Sequence, residues 1–306
     1  MSSILSERRD AVGILTINRP ERFNAMDVQT AQDFRKVALQ FARDTSIRAV
    51  VIKGVPGIFC SGADLKFIRA GGTAADLEYL TRAEYWRWPE GAPIQYGEVF
   101  KQILEYIHSA ISEVRRAPKP FIAAVDGVAA AGGLGIAMAC DLVVASERAT
   151  FEWAYSKTGL TGAESTTFML PRLIGLRRSF ELLFLNPRLD APAARDYGLV
   201  TTVLPVEGFN EGVLALAERL TNGPPRAFAV AKELMNQASG MDRLDEHLDK
   251  ELDALTRAAN GPEVAEGIRA FFEKRAPDFT PAPRPSMPDE PASTAAPEPG
   301  RPKSGV

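Results

Sequence analysis

Hydrophobic positions follow two different spacings in the first half of the chain. Short runs of β-branched and small apolar residues, typical of buried strands, occupy 12–18, 49–53, 121–125 and 142–145. Between the first two runs, Ala31, Phe34, Ala38 and Phe41 recur at helical spacing within 27–44. This alternation of strands and helices predicts a layered α/β fold.

The second half of the chain changes character. From residue 165 onward the pattern is mostly helical. Six helices are predicted there, over 177–184, 191–197, 209–221, 225–238, 244–259 and 263–273. Two more are predicted before residue 165, over 99–115 and 133–140. We therefore divide the chain into an α/β core (1–200), a helical C-terminal region (201–279) and a tail rich in Pro and Ala (280–306). The composition of that tail predicts disorder.

Composition excludes several classes of protein. The 306 residues are 45% hydrophobic and 25% charged, which is ordinary for a globular chain. With 36 basic against 39 acidic residues and no basic stripe, nucleic acid is not an expected partner. Acidic residues and glycines interrupt the longest apolar stretch, 121–145, so no membrane span is expected. The first ten residues do not read as a secretory signal. Only Cys60 and Cys140 occur, which fits small buried residues and a cytoplasmic location.

Two loops made of small residues carry the candidate chemistry. Each follows a short apolar strand, the first at 59–65 and the second at 126–135. Small residues at Ala63 and Gly132 would let two backbone N–H groups approach one oxygen atom. Such an oxyanion hole serves reactions that pass through an enolate.

These loops, together with segments 18–26, 117–125 and 270–275, resemble the crotonase superfamily, also called the enoyl-CoA hydratase/isomerase family, over about residues 8–279. The resemblance implies a ββα spiral core with a helical C-terminal trimerisation region. It also implies an acyl-CoA thioester substrate, no cofactor beyond the coenzyme A of that substrate, and a homotrimer or a dimer of trimers. The backbone N–H groups of Ala63 and Gly132 would be the oxyanion donors.

The resemblance also indicates where coenzyme A would bind. The family holds this group with basic and apolar residues around the two loops and with the last helix, which often completes a neighbour's site. The matching positions in this sequence are Arg22, Ala25, Asp64, Leu65, Lys66, Phe271 and Lys274. For the two lysines, solvated surface positions are the alternative.

Both glutamates of the hydratase branch are missing at the matching positions. One position is occupied by Gly135 and the other by Tyr155. Hydration needs groups that hold and deprotonate a water, so a hydratase is disfavoured although the loops match. An isomerase is the leading hypothesis. The isomerase branch carries one carboxylate at the position of Ala163, and the acid nearest to it is Glu164, our candidate general base.

A dehalogenase-like or hydrolytic enzyme acting on an aromatic or cyclic acyl-CoA is the runner-up. The 4-chlorobenzoyl-CoA dehalogenase branch has an aromatic residue at the position of Tyr155 and a catalytic histidine at that of His108. Its nucleophilic aspartate falls on Ala163, so Glu164 would have to attack instead. A protein that binds acyl-CoA without catalysis is the third hypothesis.

Each candidate residue also has a structural explanation. Glu164 could be an exposed acid in the first turn of a helix. His108 could be a half-buried polar residue on its helix, and Tyr155 could simply form a pocket wall. His247 resembles part of a solvated helix face, and two distant histidines give no metal-site spacing. The aromatic-rich segment 68–96 would either border the acyl group or pack ordinarily.

Overall fold

A large, mostly parallel sheet forms the centre of the molecule. The computed structural model describes residues 2–72 and 94–280. The strands of this sheet are, in spatial order, β1 (Ile4–Arg9), β2 (Val12–Ile17), β3 (Ala49–Lys53), β5 (Phe121–Val125), β7 (Leu142–Ser146) and β10 (Thr202–Leu204). Within this sheet, β1 and β2 are antiparallel, and each of the other neighbouring strand pairs is parallel. Every residue of β5 is buried, as expected for a central parallel strand with both faces covered.

A smaller sheet lies beside the first and carries the loops of interest. It consists of β4 (Ile58–Cys60), β6 (Val128–Ala130), β8 (Thr150–Glu152) and β9 (Leu189–Asp190). β4, β6 and β8 are parallel neighbours, with Cys60 opposite Ala129. The carboxyl ends of β4 and β6 therefore face the same edge, and the chain segments that follow them leave the sheet side by side.

The helices complete strand–strand–helix units and then cover the sheets. Their bounds are α1 (Val28–Arg43), α2 (Leu65–Arg69), α3 (Tyr96–Arg116), α4 (Gly132–Ala139), α5 (Thr166–Leu173), α6 (Gly175–Leu185), α7 (Ala191–Tyr197), α8 (Phe209–Thr221), α9 (Pro225–Ala238), α10 (Leu244–Ala259) and α11 (Pro262–Glu273). The order β3–β4–α2 repeats as β5–β6–α4, which confirms the predicted α/β fold with ββα units. α8 covers one face of the large sheet through Phe209, Val213 and Ala217.

Most predicted helices match the structure closely. The bounds of α7, α8, α9 and α10 equal the predicted ones, and α4 begins one residue earlier than expected, at Gly132. The proposed boundary at residue 200 stays a prediction, and β10 lies beyond it while pairing with β7 in the large sheet. Residues 73–93, which hold most of the aromatic-rich segment, and residues 281–306 of the predicted tail lie outside the described residues.

Candidate active site

The backbone N–H groups of Ala63 and Gly132, the expected oxyanion donors, lie where the loops after β4 and β6 meet. Met26 N–H donates to the Gly62 carbonyl and Asp64 N–H donates to the Met26 carbonyl, both at 2.8 Å, which fixes the first loop. In the part of the chain that the structure describes, neither the Ala63 nor the Gly132 N–H has a protein acceptor. One such donor aimed at a developing oxyanion is worth about 10²–10³ in rate.

The second loop reaches Gly132 through a strained residue. Ala131 has φ +47° and ψ −119°, a conformation that costs a residue with a Cβ on the order of 1–3 kcal/mol. Its N–H donates to the Glu152 carbonyl at 3.2 Å, and its carbonyl accepts from Gly135 N–H at 3.2 Å. Because α4 begins at Gly132, the free N–H lies at the positive end of the helix.

Glu164 brings a buried carboxylate to this turn. It lies between the 3₁₀ helix Tyr155–Thr158 and α5, with φ +50° and only 4% of its surface exposed. A methyl group added to Gly132 would lie 2.6 Å from Glu164 Oε1. The expectation of an exposed acid in the first helical turn is therefore wrong, since Glu164 is buried, precedes α5 and faces the turn Ala131–Gly132, called the oxyanion turn below.

The two positions that lack the hydratase glutamates both contact Glu164. A methyl group at Gly135 would overlap the Glu164 carbonyl oxygen, so only glycine fits there without movement. The Tyr155 hydroxyl donates to Glu164 Oε2. The Tyr155 ring packs edge-on against Trp153, with centroids 5.0 Å apart. Glu164 thus lies between Gly135 and Tyr155.

Burial prepares Glu164 for proton transfer near neutral pH. Desolvation is the main cause that raises its pKa to about 7, and the charge of Glu251 raises it further, while the hydrogen bond from Tyr155 opposes the rise. Burial and the neighbouring Glu164 charge keep the pKa of Tyr155 well above its ordinary value, so the phenol stays neutral and donates. A carboxyl group with a pKa near the working pH suits a general base that also returns a proton.

His108 is buried rather than half-buried, and it faces the backbone. Its Nε2 accepts the Glu164 N–H at 3.1 Å, and the Leu248 carbonyl accepts a second hydrogen bond from the ring, which assigns the proton to Nδ1. Burial lowers the pKa of His108 to about 3, so the ring is neutral. Both ring nitrogens are engaged, and His108 does not contribute to the wall of the cavity next to Glu164 among the described residues.

A cavity of about 360 Å³ opens in front of Glu164 and the two turns. Most residues predicted for catalysis or binding line it, namely Arg22, Ala25, Ala63, Asp64, Leu65, Lys66, Gly132, Tyr155, Glu164 and Phe271. Lys274 is exposed at the end of α11 and lies outside this lining. Among the lining residues that the sequence analysis missed are the large apolar side chains of Phe100, Leu160, Leu255 and Phe272.

Comparison with known proteins assigns the family. The family described as enoyl-CoA hydratase/isomerase matches residues 7–87 and 97–282. The chain belongs to this family. It is 31% identical over 282 residues to a 1,2-epoxyphenylacetyl-CoA isomerase of Escherichia coli K12, covering 92% of this chain and 99% of that protein. It is 28% identical to a 4-chlorobenzoyl coenzyme A dehalogenase-2 of Arthrobacter sp., covering 88% and 90%.

Solved structures agree with the family assignment. An enoyl-CoA hydratase from Mycobacterium avium subsp. paratuberculosis K-10 is similar with a TM-score of 0.77 and 29% identity, over 91% of this chain and 99% of that one. A carnitinyl-CoA hydratase from Mycobacterium avium gives a TM-score of 0.73 and 29% identity, over 91% and 98%. The chain therefore has the crotonase fold that its loops predicted.

In this enoyl-CoA hydratase/isomerase family member, the polar side chains of Asp64 and His247 bond to neighbouring parts of the fold. The Asp64 carboxylate caps α2 by accepting the N–H groups of Lys66 and Phe67, and it also pairs with Arg19 at 3.2 Å. His247 does not lie on a fully solvated face, because it is half-buried and its Nε2 is 2.8 Å from the Thr167 hydroxyl.

Other classes of site find no support in the described ranges. Cys60 and Cys140 are buried thiols with raised pKa values. Among residues 2–72 and 94–280, no cluster of three metal-ligating side chains occurs. Within the same ranges, no helix is long and apolar enough to cross a membrane.

Proposed function

We propose that the protein is an acyl-CoA isomerase that forms a thioester enolate and moves one proton with Glu164. The observation that carries this proposal is the buried Glu164 carboxylate against the Gly132 turn, with a pKa of about 7. The relative from Escherichia coli that is named an isomerase supports the same class. In this mechanism Ala63 and Gly132 donate to the thioester oxygen.

The reaction can be written for a 3-enoyl thioester. Ionised Glu164 takes a proton from C2, the electrons of the C–H bond move into the thioester, and the two N–H donors stabilise the dienolate. Glu164, now protonated, returns the proton to C4, and the double bond ends between C2 and C3. The Tyr155 hydroxyl bonds to Glu164 Oε2, which leaves Oε1 on the Gly132 side for the proton.

The apolar wall of the cavity bears on the acyl group. Phe100, Leu160, Leu255 and Phe272 join Tyr155 around the space in front of Glu164. Such a wall suits a bulky apolar or aromatic acyl chain better than a short polar one. Two relatives are named for thioesters with an aromatic acyl group, epoxyphenylacetyl-CoA and 4-chlorobenzoyl-CoA, in line with this preference.

The second candidate is dehalogenation or hydrolysis of an aromatic acyl-CoA. The dehalogenase relative and the aromatic wall favour it. His108 opposes it, because both ring nitrogens bond to the backbone and neither is free to activate water. A protein that only binds acyl-CoA would not need a buried, destabilised carboxylate against the oxyanion turn, so that hypothesis is the weakest of the three.

The test is mass spectrometry in heavy water with 3-hexenoyl-CoA, 2-hexenoyl-CoA and 4-chlorobenzoyl-CoA. The proposal predicts conversion of the 3-enoyl to the 2-enoyl thioester, the two being separated by chromatography before mass analysis, and a loss of about 10²–10⁴-fold in Glu164→Gln. Deuterium enters C4 in those turnovers in which the proton on Glu164 exchanges with solvent before it is returned. The exposed Glu147→Gln is the matched control. Water addition to 2-hexenoyl-CoA, free coenzyme A or chloride release without isomerisation would contradict it.

We also propose a homotrimer or a dimer of trimers. Exposed apolar side chains that a further subunit would cover lie on α6 and α9, namely Leu176, Phe180, Phe184, Leu185, Val230, Leu234 and Met235. Phe271 on α11 is 58% exposed, and Lys274 follows that helix, so both are accessible to a neighbour's coenzyme A. Light scattering after size-exclusion chromatography tests this, and a monomer would contradict it.

A further inference from the structure

The segment that carries Glu164 is a turn that its own neighbours close only in part: the Thr166 N–H and the Thr166 hydroxyl both donate to the Ala163 carbonyl, at 3.0 and 2.7 Å. Glu164 and Ser165 have φ values of +50° and +65°, and two consecutive non-glycine residues in this region are disfavoured. Ser165 occupies the position before α5 but makes no side-chain cap. The amides of Glu164, Ser165 and Thr167 have no acceptor within the turn, so their acceptors come from elsewhere in the chain.

Glu251 on α10 supplies those acceptors. Its Oε2 accepts Ser165 N–H at 2.8 Å and its Oε1 accepts Thr167 N–H at 2.9 Å. The Thr167 hydroxyl also donates to Oε1. Glu251 is only 4% exposed, and these hydrogen bonds offset the cost of burying its carboxylate.

His108 on α3 holds the adjacent amide. Its Nε2 accepts Glu164 N–H, while its ring donates to the Leu248 carbonyl on α10. Side chains from two helices thus bind the backbone on both sides of the Glu164 side chain. The carboxylate of Glu164 itself remains free for Tyr155 and for the cavity.

We propose that Glu251 and His108 are positioning residues that clamp the Glu164 backbone and so aim its carboxylate at the oxyanion turn. This inference rests on the proposed function of Glu164 as the base. Neither residue touches the cavity among the described residues, so both act through Glu164. The clamp acts together with the two bonds from Thr166 to the Ala163 carbonyl to hold the positive φ values of Glu164 and Ser165.

The charged groups around Glu164 allow the clamp to be tested by the pH dependence of kcat/KM as well as by loss of activity. Titratable groups facing Glu164 are Tyr155, Glu251, His108 and Cys60, and His247 lies 3.9 Å from Glu251. The charge of Glu251 raises the pKa of Glu164. Removing this charge should shift the acidic limb of the kcat/KM profile to lower pH, which a merely structural defect would not do.

The decisive variant is Glu251→Gln, assayed with 3-hexenoyl-CoA. Glutamine keeps the shape, but its amide N–H group meets the N–H donors of α5 instead of accepting from them. We expect kcat to fall about 10- to 100-fold, KM to change much less, and the acidic limb to move to lower pH. Glu246→Gln, an exposed residue on α10 paired with Lys250, is the matched control. An unchanged kcat and pH profile in Glu251→Gln would overturn the clamp.

A pair of variants tests His108 in the same assay. His108→Gln retains an acceptor for Glu164 N–H, whereas His108→Leu removes it. The clamp predicts that the glutamine variant keeps most of kcat and the leucine variant loses about tenfold or more. Equal loss in both variants would contradict a role as backbone acceptor.

Hydrogen exchange separates this inference from the proposed function. In the wild-type protein the amides of Ser165 and Thr167 should exchange slowly, and Glu251→Gln should speed them while Glu246→Gln does not. Faster exchange supports the clamp even if 3-hexenoyl-CoA is not isomerised, which would fail the proposed function alone. Unchanged exchange at these amides overturns the clamp whether or not the wild-type protein isomerises the substrate.

Discussion

The two sides of the candidate site differ in what holds them. On the oxyanion side, the donors of Ala63 and Gly132 are backbone groups fixed by the parallel strands β4 and β6 and by the bridge to Met26. On the base side, Glu164 lies on an irregular segment that depends on side chains from α3 and α10. Backbone N–H donors thus need only small residues nearby, whereas the carboxylate of Glu164 depends on partners that are distant in sequence.

The closest contact between the two sides is at α4, and a methyl group there should have the largest effect. In Gly135→Ala the new Cβ would overlap the Glu164 carbonyl oxygen and lie 2.7 Å from the Glu164 Cβ. We expect isomerisation of 3-hexenoyl-CoA to fall about 100-fold, with a loss of about 1–3 kcal/mol in the free energy of unfolding.

A control and a stronger variant sharpen this result. In Gly212→Ala on α8, the added methyl group meets the flexible end of Leu204, so activity should be unchanged. Gly135→Glu restores the carboxylate of the hydratase branch in sequence but collides with Glu164. It should therefore not hydrate 2-hexenoyl-CoA. Appearance of a hydratase with an intact Glu164 segment would show that the two sides are less tightly coupled than the contacts indicate.

A local sequence pattern suggests the backbone donors on the oxyanion side, whereas no local pattern gives the direction of Glu164. Small residues after two strands are sufficient to predict backbone donors at Ala63 and Gly132. The direction of Glu164 depends on left-handed backbone at two residues and on acceptors about 56 and 86 residues away in sequence, which no local pattern encodes. The two interpretations of His108, catalytic or structural, could not be separated from the sequence for the same reason, since its contact with Glu164 N–H joins residues 56 positions apart.

One signal for the base side was nevertheless present. The buried face of α10 consists of Leu244, Leu248, Glu251, Leu255 and Ala259. An acidic residue in an otherwise apolar stripe at helical spacing indicates a buried carboxylate with specific partners. Which donors it would bind could not be read from the sequence, because α5 begins far upstream.

The buried charge on the base side should cost stability in a pH-dependent manner. The pKa of Glu164 is raised from 4.5 to about 7, so the folded protein binds this proton more tightly than the unfolded chain does. The contribution of Glu164 to stability should therefore fall as pH rises from about 4.5 to 7 and then level off, and comparison with Glu164→Gln separates it from the opposite contribution of His108. Glu164→Gln lacks this loss and should gain on the order of 1–3 kcal/mol relative to the wild-type protein at pH 8.

Chemical denaturation at pH 5 and pH 8 measures this difference. The gain of Glu164→Gln should be small at pH 5 and full at pH 8. Glu147→Gln, on the exposed loop after β7, should follow the wild-type protein at both values. A gain that is equal at the two pH values would mean that the carboxylate is not desolvated as its burial indicates.

Tyr155 tunes the pKa of Glu164 through its hydroxyl group, which also lies 3.2 Å from the Ala163 carbonyl oxygen. Its hydrogen bond lowers the pKa of Glu164, so Tyr155→Phe should raise that pKa and move the acidic limb of the kcat/KM profile to higher pH. At pH 7 the rate should fall by about three- to tenfold, and it should recover partly at pH 9. This shift is opposite in direction to the one expected for Glu251→Gln. Tyr197→Phe on α7 should leave the profile unchanged, and a shift of Tyr155→Phe to lower pH would contradict the hydrogen-bond geometry.

The smallest effect is expected on the oxyanion side, at Ala131. Glycine relieves the strain at φ +47° but adds freedom to the unfolded chain, so Ala131→Gly should change the free energy of unfolding by only about 0.5–1 kcal/mol, in the stabilising direction. Ala130→Gly in β6, where φ is not positive, should destabilise by a similar amount. Activity with 3-hexenoyl-CoA should stay within about twofold in Ala131→Gly, since the hydrogen bonds on both sides of the turn are main-chain bonds. Thermal unfolding and kcat measured on the two variants decide the point, because a large loss of kcat in Ala131→Gly would mean that this side also depends on a side chain.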